Sequence, residues 1–382
     1  IEEICNIIDM KKIIKILLLP FTLLSQNIEE IFNNKNEIYF SFKYKNKQEL
    51  DRLSKIISLD HKIEKTTAYA YANKKQFIRF LELNIDFELI NNKVFYQNVS
   101  KSNWDYYPTY NQYVDMMYAF ADSFPNICKV HSLGTLNSGR EILIVNISDN
   151  VGQKENEPSF LYTSSMHGDE LTGYVLMLRF IDDILNNYNV NSRITNLVNE
   201  IDIWINPLAN PDGAYAGGNS NVWGATRSNA NFVDLNRNYP DPQDGPHPDG
   251  NSWQEETLIF MGLADSINFN LASNLHTGAV VANYPWDTWS QLTADDSWWQ
   301  HVCNEYADTC QFYGPNNYFT NYNDGIINGY DWYEVDGGRQ DYMNYFKHCR
   351  EFTLELSNDK TPNPQELPDF WDATHPSFYN YM

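Results

Sequence analysis

His167 and Glu170 stand three residues apart in SSMHGDELTGY, residues 164–174, between an apolar run and a helical pattern. On a turn entering a helix, that spacing lets both side chains face one point. Imidazole nitrogen and carboxylate oxygen are both zinc ligands, and two His with one Glu leave a fourth position open for catalysis. The third ligand has to come from another strand end. SNLHTG offers His276, preceded by an apolar strand and followed by Gly278, where the chain can turn tightly. By itself the HxxE spacing is weak, because any turn ahead of a helix can hold a His and a capping acid.

Such ligands need a scaffold, and the pattern beyond Tyr110 supplies one. Apolar strands CKVHSL, EILIVNIS, SFLYTSS, IDIWINP, LASNLH and EFTLELS are interleaved with amphipathic helices such as TGYVLMLRFIDDILNNY and SWWQHVCNEYADTC. This alternation predicts an α/β domain over 104–382: a mixed, largely parallel central sheet covered by helices on both faces. Sites in such sheets gather beyond the carboxyl ends of the strands. His167, Asn206, His276 and Glu355 all lie at or just past such ends.

A separate small α+β domain is expected over residues 27–95, reading strand, helix, strand, helix, strand from EIYFSFKY to DFELI. The polar stretch from Asn91 to Tyr110 reads as a linker. Met10–Gln26, two lysines followed by a mostly apolar stretch, has the layout of a secretory signal peptide and is short for a spanning helix. Residues 1–9 would then be upstream read-through. The expectation is a secreted, extracellular or periplasmic protein with no stable membrane insertion after signal removal. A formal charge of −23 argues against nucleic acid as a partner, because polyanions attract Lys and Arg. Cys128, Cys303, Cys310 and Cys349 allow three disulfide connectivities or free buried thiols.

MHGDE, INPLANPDG, TRSNANFVDLNRNYP, NLHTGA, GYDWYEVDGGRQDY and FTLELS occur in the order and approximate spacing of the zinc metallocarboxypeptidases. From Trp104 onward the chain resembles that superfamily, most closely the regulatory branch that includes carboxypeptidases D, E, M and N. The resemblance implies one zinc per chain on His167, Glu170 and His276. It implies Glu355 as the glutamate that takes a proton from zinc-bound water and passes it to the leaving amine. A carboxylate in an apolar strand is costly unless it is paired or used. Arg227, nine residues before Asn236, matches the arginine that stabilises the oxyanion. Asn236, Arg237 and Tyr333 match the residues that hold the terminal carboxylate of a peptide or protein substrate.

There are departures too. Asp169 stands where the pancreatic enzymes carry an arginine, and Gln340, at the specificity position, is neither apolar nor acidic. The branch and the acidic balance together tilt the expected preference towards C-terminal Lys or Arg. YPDPQDGPHPDGNSW reads as a solvated loop, with a calcium loop as the alternative. The small domain would be an inhibitory prosegment or an accessory domain, and relatives continue past the C-terminal FYNYM. The resulting expectation is a C-terminal exopeptidase. Its rivals are a zinc amidase acting on cell-wall peptides and an inactive binding module with the same fold.

Overall fold

The computed structural model describes residues 28–32, 35–90 and 104–382. The signal segment and the residues before it lie outside these. Among the described residues, no helix is long and apolar enough to cross a membrane.

The small domain runs β1 (Glu37–Lys43), α1 (Lys47–Ser54), β2 (Ser58–Glu64), β3 (Thr67–Asn73), α2 (Lys74–Leu81) and β4 (Phe87–Ile90). Its antiparallel sheet has the order β2-β3-β1-β4. Asn73 caps α2 in a reciprocal box with Gln76, and Phe77 and Phe80 pack on Phe40, Phe42 and Phe87. Strand β2 is absent from the sequence reading for a clear reason. In SLDHKIE the apolar Leu59 and Ile63 are four apart and separated by charged and polar residues, so no alternation shows. The ladder with β3 also shifts register between Leu59 and Ile63, which is the behaviour of a bulge.

In the large domain an eight-stranded mixed sheet has the order β11-β10-β12-β9-β7-β8-β6-β5. The strands are β5 (Cys128–Thr135), β6 (Glu141–Ile147), β7 (Ser159–Ser164), β8 (Asp202–Asn206), β9 (Phe269–His276), β10 (Ala279–Tyr284), β11 (Ile326–Asn328) and β12 (Arg350–Ser357). The centre, β8-β7-β9-β12, is parallel, whereas β10 runs against β12, and β6 runs against both β8 and β5. Alternation sorts the strand residues between two cores. Phe160, Tyr162, Phe352, Leu354 and Leu356 join helices α3 (Tyr110–Ser123), α4 (Thr172–Asn187), α6 (Asp296–Tyr313) and α7 (Leu367–Tyr381). Leu161, Ile142 and Ile144 face Phe260 and Leu263 of α5 (Glu255–Ser266) on the other side. The expected mixed sheet covered on both faces is therefore present. Strands β10 and β11 extend it beyond the expected strands.

Two features of this sheet build the site. Glu355 lies opposite His276 in the parallel pairing of β12 with β9, on the face of β12 turned away from Phe352, Leu354 and Leu356. The chain then crosses the end of β12 to start β10 through Gly278, whose N–H donates to Ser357 O at 2.8 Å. Gly278 has φ +129°, a conformation that side chains resist.

The small domain sits on this same end of the sheet. Ala279, Val281, Trp332, Tyr333 and Val335 of the large domain form one apolar cluster with Phe40, Leu50, Leu53 and Leu59. Polar bonds rim it. The Arg227 N–H donates to Glu37 Oε1 at 3.1 Å, Asn73 Nδ2 donates to Phe232 O at 3.0 Å, and Lys55 Nζ lies 3.1 Å from carboxylates of both Glu334 and Asp336. Cys128, Cys303, Cys310 and Cys349 are free buried thiols rather than disulfides.

Candidate active site

Three donor atoms converge where the sequence places them. His276 Nδ1 is 2.8 Å from Glu170 Oε2, His167 Nδ1 is 3.0 Å from the same oxygen, and the two ring nitrogens are 3.1 Å apart. A tetrahedral zinc with bonds of about 2.0–2.1 Å would have ligand edges of about 3.3 Å. All three side chains are buried. Two imidazole nitrogens and a carboxylate oxygen this close are the donor set and spacing that a divalent metal accepts, so the triad fits one. Burial pushes the His276 imidazole down to about 4, which keeps it unprotonated, the form that binds metal.

A surrounding shell orients these ligands. His167 Nε2 lies 3.0 Å from Asp234 Oδ1, and His276 Nε2 lies 2.8 Å from the Asn274 amide. Glu170 Oε1 accepts from Arg227 Nη1 at 3.1 Å and from Lys360 Nζ at 2.6 Å, which turns Oε2 towards the histidines. Asp234 and Lys360 had not been singled out in the sequence. Asp234 lies two residues before Asn236 and Lys360 lies in a loop after β12, so neither carries a local signal.

Glu355 is fully buried, and neither carboxylate oxygen has an aligned hydrogen-bond partner among the described residues. Burial, with Glu170 adding, pushes its carboxyl up to about 8. An uncompensated buried carboxyl that is this basic suits proton transfer and has no structural bond to explain it. The group nearest to it comes from the small domain: His61 Nδ1 lies 2.5 Å from Glu355 Oε1.

Near these groups, further arginine nitrogens are likewise buried without aligned hydrogen-bond partners among the described residues. They include Arg227 Nη2, Arg237 Nε and Arg237 Nη2. Arg227 is fixed by Asp234 Oδ2 at 3.0 Å from its Nε. Arg237 Nη1 donates to Asn236 O at 2.7 Å, and Asn236 Oδ1 accepts from the Arg339 N–H at 2.9 Å. The Tyr333 hydroxyl, also buried, has no aligned partner among the described residues. Gly337, at φ +70°, passes so close that a Cβ there would meet Arg237 O at 2.4 Å.

Other candidates fall elsewhere. Asn206 spends its amide on Leu143 O and Leu208 O, joining β8 to β6. Strand ends hold structural polar groups as well as reactive ones. Asp241, in the proline-rich loop, is not free for calcium: it accepts from the N–H groups of Gln243, Asp244 and Gly337 and from Thr288 Oγ1. Asp169 is buried, and burial raises its carboxyl against the pull of Lys360. Gln340 Nε2 donates to Asp287 Oδ1 at 2.9 Å. Burial pushes the Asp287 carboxyl up to about 7, Arg237 opposing and Asp241 adding. Asp287 was missed in the sequence, because only the fold brings YPWD beside GGRQD.

A zinc carboxypeptidase family model matches residues 113–377. Human carboxypeptidase D is 37% identical over 286 residues, covering 69% of this chain and 20% of that protein. The catalytic chain of human carboxypeptidase N is 37% identical over 311 residues, covering 72% of this chain and 67% of that protein. The chain thus spans about a fifth of the carboxypeptidases D it matches. The crystal structure of carboxypeptidase A from Helicoverpa armigera has the same fold, with TM-score 0.68 at 18% identity over 90% of this chain and 96% of that one.

Proposed function

Because this chain belongs to the zinc carboxypeptidase family, we propose that it hydrolyses the C-terminal peptide bond of peptides or proteins, releasing one residue at a time. The observation that carries this reading is the Arg237 guanidinium, buried with two nitrogens unpaired among the described residues and close enough to Asp234, Tyr333 and Asp287 for its charge to act on them. An orphaned buried guanidinium is costly unless a carboxylate arrives, and the free C-terminus of a peptide supplies one.

His167, Glu170 and His276 would hold the zinc, which when bound would supply a Lewis acid for the scissile carbonyl and an acidified water. Glu355 takes the proton from the attacking water and returns it to the leaving amine. The free Nη2 of Arg227 faces the developing oxyanion, while Asn236 and Arg237 hold the carboxylate and Tyr333 closes over it. The same clamp speaks against the cell-wall amidase reading. The intact Glu355 and triad speak against an inactive binding module.

Asp287 supports a preference for Lys or Arg at the substrate's C-terminus. It is a buried acid beside Gln340 whose charge a substrate cation would satisfy. Asp287→Asn is expected to lower kcat/KM about tenfold for a peptide ending in Arg, while sparing one ending in Leu, on the scale of a charged hydrogen bond. Parallel assays of the two peptides check this.

Metal analysis of purified protein is expected to find one zinc per chain, and His276→Ala to lower that content with the fold retained. Protein that neither contains nor takes up zinc would sink the reading. The signal layout supports secretion. The small domain, seated over Glu355 and Tyr333, supports its role as an inhibitory prosegment.

A further inference from the structure

His61 is a buried polar residue that the reaction does not use, yet it lies at the centre of the site. It belongs to β2 of the small domain and is buried, with its ring centroid 5.8 Å from that of His276, 6.4 Å from His167, 5.0 Å from Trp332 and 6.1 Å from Tyr333. One donor atom each of His61, His276 and Glu355 lies within 4.8 Å of the others, so His276 is shared between this group and the zinc triad. The 2.5 Å approach of His61 Nδ1 to Glu355 Oε1 lacks hydrogen-bond alignment, and Nδ1 has no other partner among the described residues.

Resting on the carboxypeptidase reading, we propose that His61 occupies the place of the nucleophilic water, between Glu355 and the zinc ligands, and so holds the full chain latent. The attacking water must touch Glu355 on the side facing the metal, and that side is where the imidazole stands. Imidazole nitrogen is also a group that an open zinc position accepts. Inhibition then lies in one side chain as well as in the covering of the cleft.

The fold aims this side chain. The register shift between Leu59 and Ile63 takes Asp60 and His61 out of regular pairing with β3, and such irregularities redirect side chains. Asp60 Oδ1 then lies 3.5 Å from Lys360 Nζ, the same nitrogen that holds Glu170 Oε1. A Cβ on Gly278 would come to 3.0 Å from Asp60 Oδ1, so the crossing after His276 leaves room for this pair of residues. The contacts of Lys55 and Asn73 lie around the rim, whereas Glu37 accepts from the backbone N–H of Arg227 and so fixes the docking at the edge of the site itself.

The test uses the full chain loaded with Co²⁺ in place of zinc, and mercaptoacetate as the probe, because a thiolate on an accessible cobalt adds a charge-transfer absorption band. The unaltered chain is expected to show no band at probe concentrations that saturate His61→Ala, a difference of at least tenfold in apparent affinity. Peptidase activity of His61→Ala should rise at least tenfold in parallel. Lys55→Ala, which loosens the rim and leaves His61 in place, serves as the comparison and should stay close to the unaltered chain. Sedimentation and resistance to limited proteolysis show whether the small domain remains docked. Equal probe access in the unaltered chain and His61→Ala would overturn the proposal, as would Lys55→Ala opening the site as fully as His61→Ala. Failure to bind cobalt or zinc at all would instead count against the carboxypeptidase reading.

Discussion

Glu355→Gln is expected to keep its zinc and lose about three orders of magnitude in kcat, within the range for removing a general base. The change is nearly isosteric, and Glu355 makes no aligned hydrogen bond that the fold would miss. The amide cannot accept the proton from the attacking water, nor deliver it to the amine. KM and the affinity for a product analogue should change little, because the residues proposed to clamp the terminal carboxylate are untouched. Zinc analysis alongside steady-state kinetics, with both proteins given the same activating treatment, separates this outcome from simple metal loss. Turnover near that of the unaltered enzyme would show that another group is the base.

Amidating the C-terminus of a good substrate is expected to lower kcat/KM about a hundredfold. In the proposed clamp the free carboxylate would meet Arg237, whose Nε and Nη2 are buried and unpaired among the described residues, together with Asn236 and the Tyr333 hydroxyl. An amide removes one side of a charged, hydrogen-bonded pair and leaves the guanidinium desolvated, a loss of about 3 kcal/mol. Arg237→Ala should reduce cleavage of the free acid to near that of the amide and so erase the difference between them. Equal cleavage of both peptides by the unaltered enzyme would refute the exopeptidase reading in favour of an amidase.

Much of the architecture could be read locally. Strands such as FLYTSS and FTLELS show their burial in apolar runs, and α4 shows its helical period in TGYVLMLRFIDDILNN, because their environments follow from residues close in sequence. His167, Glu170, His276, Glu355, Arg227, Asn236 and Arg237 carry motif signals; all are buried, and the fold brings His167, Glu170, His276 and Arg227 together, with Glu355 beside His276. Asn206 shows the limit of that reasoning, since its place at a strand end matched the others while its amide bonds are purely structural.

By itself, then, the sequence determined the alternation of strands and helices, the donor set for a metal, and the presence of a separate small domain. Only the tertiary structure decided which groups surround those donors. Asp234 orients His167, Lys360 holds Glu170, and Asp287 sits behind Gln340, each from a segment remote from its partner along the chain. It also decided the place of His61. SLDHKIE carries no strand alternation, because the residues that bury Asp60 and His61 belong to the other domain, more than a hundred positions away. A side chain whose burial is supplied by a docking partner leaves no period in its own strand, and that is why His61 could be found only once the two domains were seen together.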